Sequence, residues 1–358
     1  MDIASLQRRL APALRPVSAA YGALMRLRAA RYASRATDRY RPACPVVSVG
    51  NISWGGTGKT PVVEYLLDKT ADLRTVVLTR GYKASPPEFP FPVKPGGDPA
   101  QTGDEPLLLA RRHPNALVLV DPKRSRAAAW ADEHVNPQLF LLDDGMQHLA
   151  IERDLDLVLL TPNDLLDGWD RVIPAGTWRE GKTALDRAHA FCMKADTATA
   201  AAIASAAGKR LAAFNVPLFF FDLVPAGLAR LMPFASSAPE TVPDLGGSSY
   251  TLVCGTGNPD HVRKSATALL GRPPSDEFIA ADHYSYTRAD AQAVQGKGRP
   301  IVCTAKDAVK LAPLLPAFGD VPVWVLEVRA EFGRVLFSEV SFEAWWDENL
   351  KRLLTLPG

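Results

Sequence analysis

The sequence predicts an α/β protein: a parallel sheet core, a second and smaller α/β domain, and an amphipathic helix ahead of both. Apolar runs of strand length recur at Pro45–Val49, Arg74–Thr79, Ala116–Val120, Leu139–Leu142 and Leu155–Leu160, with helix-length segments between them. A glycine-rich turn follows the first run and leads into a helical pattern over Pro61–Lys69. A proline-rich stretch, Pro233–Ser249, then breaks the chain before a fresh strand at Ser249–Cys254.

With 358 residues, 47% of them hydrophobic and 22% charged, the chain is long enough for one large or two modest domains. A net charge of +2 gives no reason to expect a nucleic-acid partner. Cys44, Cys192, Cys254 and Cys303 lie far apart without paired spacing, so neither a zinc cluster nor a disulfide framework is expected, and a reducing compartment fits. No run reaches the roughly 18 apolar residues of a spanning helix, and no secretory signal is seen at the start.

The first segment, residues 1–40, is basic. Arg8, Arg9, Arg15, Arg26, Arg28, Arg31, Arg35 and Arg39 stand against Asp2 and Asp38, while Leu10, Leu14, Val17, Tyr21, Leu24 and Leu27 recur at helical spacing. Such a helix can lie in a membrane interface or pack on its own domain, and composition does not choose. Pro12 and Pro16 confine the expected regular helix to the part after them. Residues 41–217 read as the core domain, with a loop over Ser85–Thr102, a helix over Asp104–Arg112 and an alanine-rich helix over Asp196–Ala213. Residues 218–240, with the apolar run Leu218–Val224, read as a hinge, and 241–358 as the smaller domain, with a strand at Pro300–Thr304.

Ser53-Trp54-Gly55-Gly56-Thr57-Gly58-Lys59-Thr60 lies between a buried strand and a helix start, the context of a phosphate-binding loop, and makes the core P-loop NTPase-like. Glycines let successive N–H groups face phosphate oxygens, the helix terminus favours an anion, and Lys59 adds a charge. The pattern points to ATP, with Thr60 as a ligand of Mg²⁺. Its usual first glycine is Ser53 here. The strand Leu139–Leu142 ends in Asp143 and Asp144, carboxylates suited to the metal beside such a loop, and either could be the ligand.

Several further blocks are specific. With VGN at Val49–Asn51 and GGTGKTP ending at Pro61 stand TRGY at Thr79–Tyr82, GDEP at Gly103–Pro106, DDGMQH at Asp143–His148, RDLDLVLL from Arg153, PAGTWRE at Pro174–Glu180, ADHYSYT at Ala281–Thr287 and TAKDAVK at Thr304–Lys310. In this order, the chain resembles the tetraacyldisaccharide 4′-kinase family of lipid A biosynthesis. The resemblance implies a P-loop core and a smaller α/β domain joined by a β-strand hinge, with the chemistry in the cleft between them. It also implies transfer of the ATP γ-phosphate to the 4′-hydroxyl of an acylated glucosamine disaccharide 1-phosphate. A peripheral place on the cytoplasmic face of the bacterial inner membrane, reached through the N-terminal helix, goes with it, and no obligate protein partner is inferred.

By the same resemblance Asp104 is the catalytic aspartate and His283 its partner. From the residues alone, Asp104 is equally a helix cap and His283 a structural histidine. Asp143 and Asp144 carry over as Mg²⁺-site residues and Gln147 and His148 as nearby active-site polar groups, His148 being equally a structural donor. Arg80, following a strand, reads as substrate-facing or equally as a surface salt-bridging residue, and Arg179 and Glu180 as substrate-facing. Lys123, Arg124 and Arg126 are candidates for the 1-phosphate, although a solvated basic turn is the commoner meaning of such a cluster. Thr161, Ala305 and Val262 depart from the family's usual Asp, Glu and Phe. A guanine-reading Asn-Lys-x-Asp string is absent, since Thr304-Ala305-Lys306-Asp307 lacks the asparagine, which disfavours a GTPase.

Overall fold

The structure, a computed structural model, describes residues 3–34, 36–232, 241–282 and 284–355; His283 and the 233–240 part of the expected hinge lie outside them. By contacts the chain forms two units, one of Met1–Arg80, Asp121–Asp222 and Glu331–Gly358, the other of Gly81–Val120 and Leu223–Ala330.

In the first unit, six strand segments pair in the order 218–222, Ala190–Lys194, Leu155–Leu160, Val46–Asn51, Leu139–Asp143 and Thr75–Thr79, all parallel. Val46–Asn51, Leu139–Asp143 and Leu155–Leu160 are buried at every position, which is why they read as mainly apolar runs rather than alternating ones. Register puts Val49 beside Asp143, so the acidic strand end and the glycine-rich turn emerge at the same, carboxyl, edge of the sheet.

The second unit orders Asp276–Ala280, Thr251–Gly255, Ile301–Thr304, 323–330 and 223–230 side by side, with Thr241–Val242 antiparallel on the last. Val253, Ile301, Cys303 and Phe318 centre one of its apolar clusters, Tyr250, Leu252 and Leu326 another.

The contact-based division differs from the contiguous one read from sequence in two places. Residues 81–120 group with the second unit because the helix Asp104–Arg112 is tied there by ion pairs: Asp104 to Lys310, Glu105 to Lys306 and Arg112 to Glu327. Glu331–Gly358 groups with the first because aromatic rings hold it there. Phe342, at the start of the helix Phe342–Thr355, stacks on Phe332 and meets Phe219 and Tyr65 edge-on or tilted.

The N-terminal helix runs without interruption from Ile3 to Ala33 through both Pro12 and Pro16, so the expectation that the prolines would delay it is corrected. The helix is bonded to the unit beneath it near and beyond its prolines. Gln7 Nε2 donates to the carbonyls of Pro174 and Gly176 at 2.8 Å, Ser18 Oγ accepts from Ala175 N at 2.9 Å, and Tyr21 packs on the core. Such external ties offset the two backbone bonds that the prolines cannot make.

Candidate active site

The turn after Val46–Asn51 is shaped by glycines with left-handed backbone, Gly55 at φ 119° and Gly58 at φ 85°. A side chain at Gly58 would also meet the Phe221 ring at 3.0 Å. Gly58 caps the helix Lys59–Lys69, whose first N–H groups therefore open onto the turn. Lys59 Nζ lies 3.2 Å from Asn51 Oδ1 and 3.6 Å from Asp144 Oδ1. Ser53 and Thr57 are buried, Thr57 Oγ1 without a hydrogen-bond partner, while Trp54 is exposed.

Asp143 and Asp144 have different surroundings. Asp143 is buried at the strand end and its Oδ2 accepts from Thr79 Oγ1 at 3.0 Å. Asp144 begins the following turn at φ 55°, an uncommon conformation for a residue with a side chain. Its two oxygens accept from Arg179 Nη1 at 2.9 and 2.8 Å. Burial alone would raise the Asp144 carboxyl, but Lys59 and Arg179, with Arg124 behind them, hold it below the ordinary carboxylate range. Asp144 thus stays ionised. Gly50 permits this crowding: a side chain there would come within 2.6 Å of the Met146 backbone nitrogen.

Arg179 reaches Asp144 because its own backbone N–H donates to Ile52 O at 2.7 Å, pairing the 177–179 segment with the chain leading into the glycine turn. Arg179 Nη1 also lies 3.3 Å from Gln147 Oε1, and Gln147 Nε2 donates to Asn51 O at 3.2 Å. Arg179 and Lys59 therefore stand at the Asp144 carboxylate, with Gln147 behind Arg179. Glu180 does not: it is buried and taken up by Arg187, at 2.8 and 3.1 Å. Arg80 is exposed at the end of its strand. His148 is half-buried, and burial together with Arg124 pushes its imidazole down to about 3.

Arg124 is not part of a solvated turn. It is 2% exposed and donates to the carbonyls of Asp121 and Asp143 at 2.9 and 3.3 Å; burial lowers its guanidinium to about 10. Arg126, by contrast, forks onto Asp121 at 2.7 and 2.9 Å. In the second unit Asp104 is the first residue of its helix, after Gly103 at φ 82°, with Lys310 Nζ 3.2 Å from Oδ2.

Sequence reasoning missed Asn51, Thr79, Asp164 and Lys310. The first two lie inside the VGN and TRGY blocks, and their apolar neighbours conceal that their side chains turn to Lys59 and Asp143. Lys310 closes the TAKDAVK block. Asp164 carried no signal of its own. For a cation, the candidate donors Thr60, Asp143 and Asp144 are all oxygens, the hard set that suits Mg²⁺. Among the described residues no group of three or more His, Cys, Asp or Glu side chains could hold a metal by itself.

Comparison with known proteins places the whole chain among relatives of one family. A family model described as tetraacyldisaccharide-1-P 4′-kinase matches residues 10–345. A tetraacyldisaccharide 4′-kinase of Nitratidesulfovibrio vulgaris is 46% identical over 99% of this chain and 98% of its own. One from Oleidesulfovibrio alaskensis is 45% identical over 99% of this chain and all of its own. A crystal structure of the Aquifex aeolicus protein LpxK in complex with ATP superposes with a TM-score of 0.73 at 28% identity, covering 96% of this chain and 98% of that one. With the family model spanning nearly the whole sequence, this chain belongs to the tetraacyldisaccharide-1-P 4′-kinase family.

Proposed function

We propose that this chain transfers the γ-phosphoryl group of ATP to the 4′-hydroxyl of a tetraacylated glucosamine disaccharide 1-phosphate, giving the 1,4′-bisphosphate and ADP. The observation that carries the reading is Lys59, held by Asn51 and Asp144 at the head of a glycine turn that opens onto a helix N-terminus. Backbone N–H groups of residues 53–60 and the Lys59 ammonium take the β- and γ-phosphates, a cradle of fixed charge for a transition state that spreads negative charge over oxygens.

Thr60, Asp143 and Asp144 would hold Mg²⁺, which neutralises phosphate charge when bound. Arg179 orients the Asp144 carboxylate and is itself braced by Gln147, and Arg179 has charge to offer a phosphate. Arg80 and His148 are assigned to the acceptor, while Glu180, buried on Arg187, is left out of that set. Asp104 accepts the proton of the attacking hydroxyl, with His283 as its partner.

The N-terminal helix supports docking on the inner membrane from the cytoplasmic side. Leu10, Val17, Leu24 and Leu27 are 47%, 56%, 57% and 54% exposed, on a helix whose other side is bonded to the first unit. No helix among the described residues is long and apolar enough to cross a membrane.

The test is label transfer from γ-labelled ATP to the disaccharide 1-phosphate in detergent micelles, with Lys59→Ala alongside. Labelled lipid that needs Mg²⁺ and Lys59 is expected. ATP hydrolysis with no labelled lipid would overturn the assigned acceptor.

A further inference from the structure

Asp164 is fully buried, yet it is a carboxylate and nothing in the proposed chemistry uses it. Its side chain accepts four hydrogen bonds. Oδ2 takes Ser53 Oγ at 3.0 Å, Thr161 N at 2.7 Å and Thr161 Oγ1 at 2.8 Å, and Oδ1 takes the Trp178 indole N–H at 2.8 Å. A buried carboxylate is tolerable only when its oxygens are satisfied in this way. What matters is where the donors come from. Ser53 is the first residue of the phosphate loop, the position where the usual pattern has glycine. Trp178 immediately precedes Arg179, the residue on Asp144.

The two donors are also neighbours along the backbone. Ser53 and Trp178 form a β-bridge, Trp54 N donates to Thr177 O at 3.0 Å, and Arg179 N donates to Ile52 O at 2.7 Å. The connections close a circuit from Asp164 through Ser53 and the loop to Lys59, across Asp144 to Arg179, and back through Trp178 to Asp164. A serine hydroxyl buried at the head of the loop needs an acceptor, and a charged acceptor makes the stronger bond.

We propose that Asp164 is a positioning residue for nucleotide: through Ser53 and Trp178 it fixes the first residue of the phosphate loop against the Arg179–Asp144 pair. It touches neither phosphate nor acceptor. The proposal rests on the reading of residues 53–60 as the nucleotide loop. The simpler role for Asp164 is as a cap, since it shares a capping box with Thr161 at the start of the short turn Pro162–Leu165. A cap supports folding but does not set nucleotide affinity, and that difference separates the two.

The experiment measures direct ATP binding, steady-state KM for ATP and kcat, and melting temperature for the full-length wild type, Lys59→Ala, Asp164→Asn, Ser53→Gly, Thr161→Ala and Asp164→Asn/Ser53→Gly. Asparagine keeps the shape of Asp164 but brings an N–H₂ to a place surrounded by donors. Asp164→Asn is expected to weaken ATP binding and raise KM about tenfold or more, with kcat at saturating ATP changed far less. Ser53→Gly is expected to weaken ATP binding by itself and to add less than about twofold in the Asp164→Asn background, because the link is already cut. Thr161→Ala, which loses the capping hydroxyl and one of the four bonds to Asp164 but leaves Ser53, Trp178 and the Thr161 N–H on the carboxylate, should melt earlier with ATP affinity within about twofold of wild type.

Asp164→Asn with a lowered melting temperature but wild-type ATP affinity would reduce the residue to a cap and overturn the proposal. So would multiplicative effects in the double variant. Where Asp164→Asn does not fold, Ser53→Gly beside Thr161→Ala decides the matter: ATP affinity lost in the first and kept in the second supports the proposal, and any other pattern overturns it. A wild type that binds no ATP, or a Lys59→Ala that binds it normally, overturns the loop assignment itself, an outcome distinct from failure at Asp164.

Discussion

Lys310 Nζ stands 3.2 Å from Asp104 Oδ2, with both side chains largely withdrawn from solvent. The contact joins the GDEP and TAKDAVK blocks, which lie some two hundred residues apart in sequence, through two short helices of one unit. As the proposed base, Asp104 would gain from being held in one orientation, and an ammonium at hydrogen-bond distance does that. Lys310→Met is expected to lower kcat by about tenfold with ATP affinity unchanged. Asp104→Ala should lower it by on the order of 10² to 10⁴. Labelled phosphate transfer at saturating ATP measures both; a Lys310→Met enzyme with full kcat would leave the contact without a part in turnover.

Arg124 is expected to matter first for folding. It is 2% exposed and donates to two backbone carbonyls, one of them that of Asp143. Arg124→Met removes both bonds and leaves the neighbouring aspartates with one cation fewer, a loss of about 3 kcal/mol. Urea denaturation would show it as a lower midpoint with an unchanged slope. Stability equal to wild type would mean the carbonyls find other donors.

The pH dependence of stability should carry a mark of His148. Burial, helped by Arg124, Arg80 and Arg28 and opposed by Asp144, pushes this imidazole down to about 3 from an ordinary 6.5. A lowered pKa in the folded state means that the unfolded chain takes up the proton first. Stability from this residue is therefore complete above about pH 6.5 and declines as pH falls toward 3. The urea midpoint is expected to be lower at pH 5 than at pH 7, and His148→Gln to narrow that gap. An identical gap in the variant would assign the pH effect elsewhere.

Membrane association should respond to charge on the outer face of the first helix. Val17→Asp and Leu24→Asp alter exposed side chains and leave the Gln7 and Ser18 contacts in place. The double variant is expected to lose most of its co-sedimentation with anionic vesicles while its melting temperature holds within a few degrees. Undiminished co-sedimentation would leave Val17 and Leu24 without a membrane role.

The parts of the fold that could be read from sequence were those whose cause is local. Val46–Asn51, Leu139–Asp143 and Leu155–Leu160 announce themselves because strands buried on both faces are mainly apolar, with few polar residues between. The glycine-rich turn was legible because positive φ at Gly55 and Gly58 demands glycine there. Val323–Leu336 was not recognised, since only Val323, Val325, Leu326 and Ala330 are buried and charges recur from Glu327 onward. The grouping of Glu331–Gly358 depends on where Phe342 finds Phe332, Phe219 and Tyr65, and no local pattern encodes that. Asp164 and Lys310 were invisible for the same reason. A lone carboxylate in Pro-Asn-Asp-Leu looks like any turn residue until Ser53 and Trp178 are seen to converge on it.

The first helix has two sides with different attachments: Gln7, Ser18 and Tyr21 fasten it to the protein, and Val17 and Leu24 face away. A helix bolted down in this way cannot swing like a tether. On the proposed membrane it would give the enzyme a fixed heading, so that search for an acylated acceptor becomes a walk in two dimensions while ATP arrives from the water in three. Raising the lipid's surface density would then quicken turnover even at constant bulk concentration.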